Sequence, residues 1–238
     1  MDLIVLLDTN VVLARCLDPS MDAKGRLAEE VFRILSDAKI APCITESVRI
    51  EFDVALRTRV GQILEAVRDL SQQPAPVPRA SATSSLEMME ETFARLRSSS
   101  PNASSALQLL ETRLTRGLGD PANVTEDAWR NLLRTVAIET SSLLAEIGRR
   151  FDTCHIEVIR RPSNVDQEKF RTIVPKTDLE HIASAAGLCD SRRCRVIFVT
   201  FESPLHAARE EISKVCPELV ITTSAYLKGQ IQRMQPAA

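Results

Sequence analysis

Residues 3–13, LIVLLDTNVVL, place one carboxylate, Asp8, and one carboxamide, Asn10, in an otherwise apolar run. Five apolar residues in a row, Leu3–Leu7, predict a strand buried on both faces, the kind found inside parallel sheets. An ionised carboxylate in such a setting is costly unless it is paired, bound to a metal or placed at the strand's exposed end. Asp8 falls at the end of the strand. The reading of this stretch therefore turns on which distant residues meet it.

The whole chain sets bounds on the answer. With 238 residues it has room for one large domain or for a smaller one carrying an insertion. A composition of 44% hydrophobic and 26% charged residues is that of a folded, soluble chain, not a disordered one. Leu3–Leu7 is far shorter than the roughly 20 apolar residues of a membrane span, and no basic segment precedes it as in a signal peptide. The expectation is an intracellular, cytoplasmic protein with no membrane partner. The six cysteines form no C-x-x-C pair, and Cys189 and Cys194 lack a second pair at zinc spacing, so they are read as small hydrophobes. Formal net charge is −2, which gives the chain no general basic footprint. Arginines cluster locally at Arg149–Arg150, Arg160–Arg161 and Arg192, Arg193 and Arg195, and guanidinium forks suit phosphate.

Strand and helix signals alternate at both ends of the chain. A helix is predicted over 22–37, a short strand over 39–45 and a long helix from residue 46 to 70, with Val48, Phe52, Leu56, Val60, Ile63 and Val67 on one face. A Pro/Ser/Ala-rich loop, SQQPAPVPRASATSS (71–85), then interrupts the pattern. Helices follow over about 86–97, 103–116 and 125–150, with Trp129 packed between them. Residues 153–159 read as a strand or hairpin arm, 176–189 as a helix capped by Thr177, and 195–200 (RVIFVT) as a central strand. A helix capped by Ser203, a short strand ending at Thr222 and a last helix over 224–234 complete the chain. The fold class is thus α/β, a parallel twisted sheet flanked by helices. Its domain comprises 1–58 and 151–238, with 59–150 an all-helical insertion.

Ligands of such sheets collect at the carboxyl ends of the strands. Asp8 and Glu202 lie just past two strand ends, Asp178 opens a helix, and Glu51 sits in the first turns of another. Four carboxylates at one edge repel one another, and a divalent cation removes that cost. Mg²⁺ takes oxygen ligands and keeps several waters, so a few carboxylates and a substrate phosphate complete its shell. Glu46 competes with Glu51, but it stands where a helix-capping turn belongs. The three histidines form no metal spacing; His181, three residues after Asp178, could line the site, but a core or surface role is the stronger expectation.

Four segments together, LLDTNVVL (6–13), ITESVRIEF (44–52), KTDLEHIASA (176–185) and VIFVTFESPL (196–205), resemble the PIN domain family of metal-dependent nucleases. The resemblance covers roughly 1–58 and 151–234 and leaves 60–150 unmatched. It implies Asp8, Glu51, Asp178 and Glu202 as ligands of Mg²⁺ or Mn²⁺, Asn10 as the residue that orients the site, and Thr200 as part of the T-x-D motif. That motif reads Thr200-Phe201-Glu202 here, with Glu in place of Asp. The implied activity is hydrolysis of phosphodiester bonds in single-stranded RNA, with RNA as partner and self-association left open. The rival expectation is a degenerate PIN-like module that binds RNA or protein. A haloacid-dehalogenase-type phosphatase needs a second Asp two residues after the first, where this chain has Asn10. A receiver-type signalling domain needs a Lys on a late strand, where this chain has Thr200.

Overall fold

The computed structural model describes residues 2–17, 24–73, 75–76, 85–118, 124–162 and 165–234. The Pro/Ser/Ala-rich loop falls largely outside them, as do residues 119–123 between two of the expected helices and the expected helix start at Asp22. Two units emerge: Met1–Val54 with Arg149–Ala238, and Ala55–Gly148.

The first unit has the expected α/β class. Five parallel strands, β1 (Leu3–Leu7), β2 (Pro42–Thr45), β3 (Glu157–Ile159), β4 (Arg195–Val199) and β5 (Leu219–Thr222), form one sheet in the order β3-β2-β1-β4-β5. The central pair is in register from Leu3 opposite Arg195 to Leu7 opposite Val199. From β1 the chain builds outward through β2 to β3, then crosses back to place β4 and β5 on the other side of β1. The crevice between the carboxyl ends of β1 and β4 is therefore the sheet's topological switch point.

Period-2 alternation divides the strand side chains between two layers. Leu6, Val196, Phe198, Leu219 and Ile221 share one core with Ile182, Ala185, Ala186 and Leu188. The latter four lie on α7 (Leu179–Arg192), whose small residues let it pack closely on the sheet. Val5, Leu7, Ile197 and Val199, equally buried, alternate with them. Helices α1 (Thr9–Cys16), α2 (Gly25–Asp37) and α10 (Ser224–Met234) pack together, and α10 also rests on β4.

Several boundaries differ from expectation, each for a local reason. The apolar run 3–13 is not all strand: Asp8 caps a helix that begins at Thr9, its carboxylate accepting the Thr9 N–H at 2.8 Å. Asn10, Val11 and Val12 are thus helical. α3 runs Glu46–Ser71, and α6 (Glu126–Thr153) extends three residues past the predicted end, leaving β3 only Glu157–Ile159 and no hairpin. α7 starts at Leu179 with Asp178, not Thr177, at its cap position. The helix after β4 divides at Ala208 into α8 (Ser203–Ala207) and α9 (Arg209–Val215), and its cap position is Glu202, not Ser203.

α7 ends on Arg193, a non-glycine residue in the left-handed region at φ 49°. A Cβ is disfavoured there, and glycine is the usual solution at this helix position. Arg193→Gly is expected to stabilise the first unit by about 0.5–1 kcal/mol in urea unfolding. A loss of stability would show that the exposed Arg193 side chain contributes more than its backbone costs.

The second unit is helical. The outer part of α3, α4 (Ser85–Ser99), α5 (Ser104–Gly117) and the first part of α6 enclose a core of Leu70, Met89, Phe93, Leu110, Leu114, Trp129 and Leu133. Trp129 is 3% exposed, packed as expected. Five of the six cysteines are buried, and all six are free thiols. Among the described residues no helix is long and apolar enough to cross a membrane.

Candidate active site

Backbone bonds extend the sheet one residue past its strands. Asp8 donates its N–H to Val199 O at 3.0 Å, and Thr200 donates to Thr222 O at the same distance. Two polar side chains therefore sit side by side at the switch point, both buried: Asp8 is 5% exposed and Thr200 fully enclosed. The Thr200 hydroxyl donates to Asp8 Oδ2 at 2.6 Å. This answers how an acid survives at the end of an apolar strand. It caps α1 with one oxygen and receives hydroxyl and amide donors on the other.

Asn10 supplies that amide. Its Nδ2 lies 2.7 Å from Asp8 Oδ2, 3.2 Å from Glu202 Oε1 and 3.3 Å from Thr200 Oγ1. Its own oxygen accepts the Phe201 N–H at 3.1 Å. One side chain thus clips the Thr200-Phe201-Glu202 loop onto α1, and the Glu202 N–H closes the loop on Thr200 Oγ1 at 3.0 Å. Lys24 Nζ stands 3.9 Å from the Glu202 carboxylate. Asn10→Asp would exchange the shared donor for a charge facing two acids. We expect a loss of about 1–3 kcal/mol in urea unfolding at pH 7, measured without divalent cations. Unchanged stability would mean that the Asn10 amide does not hold this loop.

Glu51 joins from α3. Its Oε2 accepts the Thr9 hydroxyl and lies 2.7 Å from His181 Nε2. The His181 Nδ1 faces Ser47 Oγ at 3.3 Å, and Ser47 Oγ lies 2.9 Å from Thr45 Oγ1. Asp178, at the cap position of α7, and His181, in its first turn, stand three residues apart, which puts them within each other's electrostatic reach. Glu46 is engaged elsewhere, accepting the Arg161 N–H at 3.2 Å.

Electrostatics tie these groups into one field. Burial pushes the Asp8 carboxyl above the usual range; the Thr200 bond and the His181 charge oppose that, and the Glu51 charge adds to it. Burial likewise raises Asp178, with the charges of Glu202 and Glu51 adding to it. The His181 bond holds Glu51 below its ordinary value. Burial alone would depress His181, but its bond to Glu51 and the charges of Glu51, Asp8 and Asp178 outweigh it and raise the imidazole. Asp8 and Asp178 are thus each raised, by burial first and by neighbouring carboxylates second, which marks negative charge in partly dry surroundings.

The structure thus joins Asp8, Asn10, Thr200 and Glu202 directly, brings Glu51 in through Thr9, and sets Asp178 within their electrostatic reach. Among the described residues no three His, Cys, Asp or Glu side chains form a ready metal-binding group. Hydroxyl, amide and imidazole donors occupy the carboxylate oxygens instead. Sequence reading missed Thr9 and Ser47 and, while allowing His181 a place lining the site, favoured core or surface for it. The legible sign was the i, i+3 spacing of Asp178 and His181.

Of the three arginine clusters, Arg149–Arg150 lies in α6 and the other two separate by sheet edge. Arg195 opens β4, so Arg192, Arg193 and Arg195 lie at the amino edge, about 15 Å of strand away from Asp8. Arg195 Nη1 there donates to Met234 O at 3.1 Å. Arg160 and Arg161 follow β3, whose Ile159 pairs with Thr45, and so share the site's edge; Arg161 forms an ion pair with Glu180 at 3.3 Å.

No known protein family, curated protein or solved structure matches the chain.

Proposed function

We propose that this chain is a PIN-like, metal-dependent ribonuclease that hydrolyses phosphodiester bonds in single-stranded RNA. The observation that carries the reading is the meeting at the switch point: Asp8 and Glu202 share the Asn10 amide, while Glu51 and Asp178 face the same field. The donor set fits a hard divalent cation such as Mg²⁺ or Mn²⁺, because its acids are all carboxylates and no thiol stands among them. Asp8, Glu51, Asp178 and Glu202 would hold it. The chemistry such a cation supplies when bound is acidification of a water and stabilisation of charge on the leaving oxygen.

The chain's own residues account for the rest. Thr200 and Asn10 hold Asp8 in one orientation, and Asn10 keeps the Glu202 loop against α1. Arg160 and Arg161, on the same sheet edge, offer guanidinium groups to an RNA backbone. The choice of RNA over DNA rests on the family resemblance. The proposed setting is the cytoplasm, which six free thiols fit, and self-association is compatible with this reading.

A second reading has an observation of its own. Protein donors occupy Asp8 Oδ2 and Glu51 Oε2, and Glu202 replaces the Asp of the resembled motif. That arrangement suits a PIN-like module that binds RNA or protein without cutting. Incubation of the chain with end-labelled single-stranded RNA, in Mn²⁺ or in excess chelator, separates the two. Cleavage in Mn²⁺ alone supports the nuclease; a stable complex with intact RNA in both buffers supports the binding module.

A further inference from the structure

We propose that His181 is a positioning residue, which fixes the Glu51 carboxylate against Thr9 by relaying the rigidity of the β2–α3 junction across to α7. The inference rests on the metal-nuclease reading of the site and assigns within it a role to a residue outside the four acids.

Glu51 needs such a device. Its side chain is 49% exposed on an early turn of α3, and a free glutamate there has several rotamers to give up before it holds one position. Two donors converge on the same oxygen, Oε2: the Thr9 hydroxyl and His181 Nε2. The Thr9 hydroxyl rides on the first residue of α1 and is set by the Asp8 cap. His181 is set from the other side. Its ring is buried, and its second nitrogen faces Ser47 Oγ, which bonds the Thr45 hydroxyl; the Val48 N–H reaches Thr45 Oγ1 at 3.4 Å. The chain of bonds thus begins on the Val48 backbone in the first turn of α3, passes through the Thr45 hydroxyl at the end of β2, and finishes on Glu51.

The direction of the bonds follows from the partners. A carboxylate only accepts, so Nε2 carries a proton, and a neutral ring then accepts from the Ser47 hydroxyl at Nδ1. Whether the ring is neutral or charged, Nε2 donates to Glu51. The positioning role is therefore one of geometry. Buried groups that orient liganding side chains in this way typically change metal affinity by about 10–100-fold when removed. His181 lies in the first turn of α7, whose cap position is Asp178, so the same bond joins the helix that one acid caps to the helix bearing another.

The test uses the full chain and two substitutions at the position, His181→Leu and His181→Gln, with Ser47→Ala as a milder third. Calorimetric titration with Mn²⁺ in the absence of RNA is expected to show about 10–100-fold weaker binding for His181→Leu. His181→Gln keeps an N–H donor and should fall nearer wild type, and Ser47→Ala should lose less than His181→Leu. A crystal structure of cation-free His181→Leu should show Glu51 detached from Thr9, with the Asp8, Asn10 and Thr200 bonds unchanged. Wild-type Mn²⁺ affinity in His181→Leu and Ser47→Ala, or Glu51 still seated on Thr9, would overturn the role. A lowered melting temperature with unchanged Mn²⁺ affinity would overturn it too, as the mark of a packing residue. If the unaltered chain takes up no Mn²⁺, the metal reading fails, and the position of Glu51 in the variant crystal decides the positioning role alone.

Discussion

Asp8→Asn is expected to abolish metal-dependent RNA cleavage, by about 10³-fold or more, while leaving stability within about 1 kcal/mol of wild type. The two halves of the result have separate causes. Asp8 lies at the centre of the proposed site, and an amide in its place carries no charge with which to hold a divalent cation. The fold, by contrast, gains little from that charge, since burial drives the carboxyl above its ordinary value. An asparagine oxygen can still accept the Thr9 N–H, and the Thr200 hydroxyl can rotate to serve as acceptor for the new amide; the Asn10 amide gives up its bond to position 8 but keeps Glu202 Oε1 as acceptor at 3.2 Å. Single-turnover cleavage of labelled RNA and a thermal melt on the same preparation check both halves. Retained cleavage removes Asp8 from the chemistry; lost cleavage with a collapsed fold makes it a structural acid.

Phe198→Ala is expected to destabilise the first unit by about 3–5 kcal/mol in urea unfolding, the largest stability effect foreseen for a single substitution. Phe198 is fully buried in β4, between Leu6 and Ile221 in register and beneath the small-residue face of α7. Removing the ring leaves a cavity that a five-strand sheet cannot close by relaxing one strand. Typical domain stabilities are only about 5–15 kcal/mol, so the loss is a large share of the total. The effect reaches the site as well, because Thr200 and Glu202 follow directly on this strand. Tyr226→Ala, at 63% exposed, serves as control and should change stability by less than about 0.5 kcal/mol. Equal effects at the two positions would contradict the packing described for the sheet.

The sheet was legible because its strands are written in continuous apolar runs. Leu3–Leu7 and Arg195–Val199 have both faces buried, and few other structures accommodate such stretches between turn signals. The start of α1 was not legible, for the same reason. Val11, Val12 and Leu13 continue the apolar run, and nothing in their spacing separates a strand that goes on from a buried helix that begins. Only the Asp8 cap bond decides it, and that bond is local geometry. At α6 an amphipathic pattern carried the helix on to Thr153, beyond the point where strand-like alternation appeared to start. The four acids could be expected at one edge because each follows a strand, opens a helix or lies in the first turns of one, so topology alone points them there. His181 was legible only in part: its spacing from Asp178 allowed it a place in the site, but a histidine on an apolar helix face satisfies a core role as readily, and its partners Ser47 and Glu51 are more than 100 residues away in sequence. The arginines show the same limit, since the sheet edge that each cluster occupies depends on where β3 ends and where β4 begins.

The central claim is that Asp8, Glu51, Asp178 and Glu202 form one cation site at the switch point between β1 and β4. An anomalous-difference map from a crystal of the chain soaked in Mn²⁺ tests it most directly. The predicted result is a strong peak among these four carboxylates that disappears in Asp8→Asn crystals. A map with no peak there, or with Mn²⁺ only at surface carboxylates remote from Asp8, would contradict it.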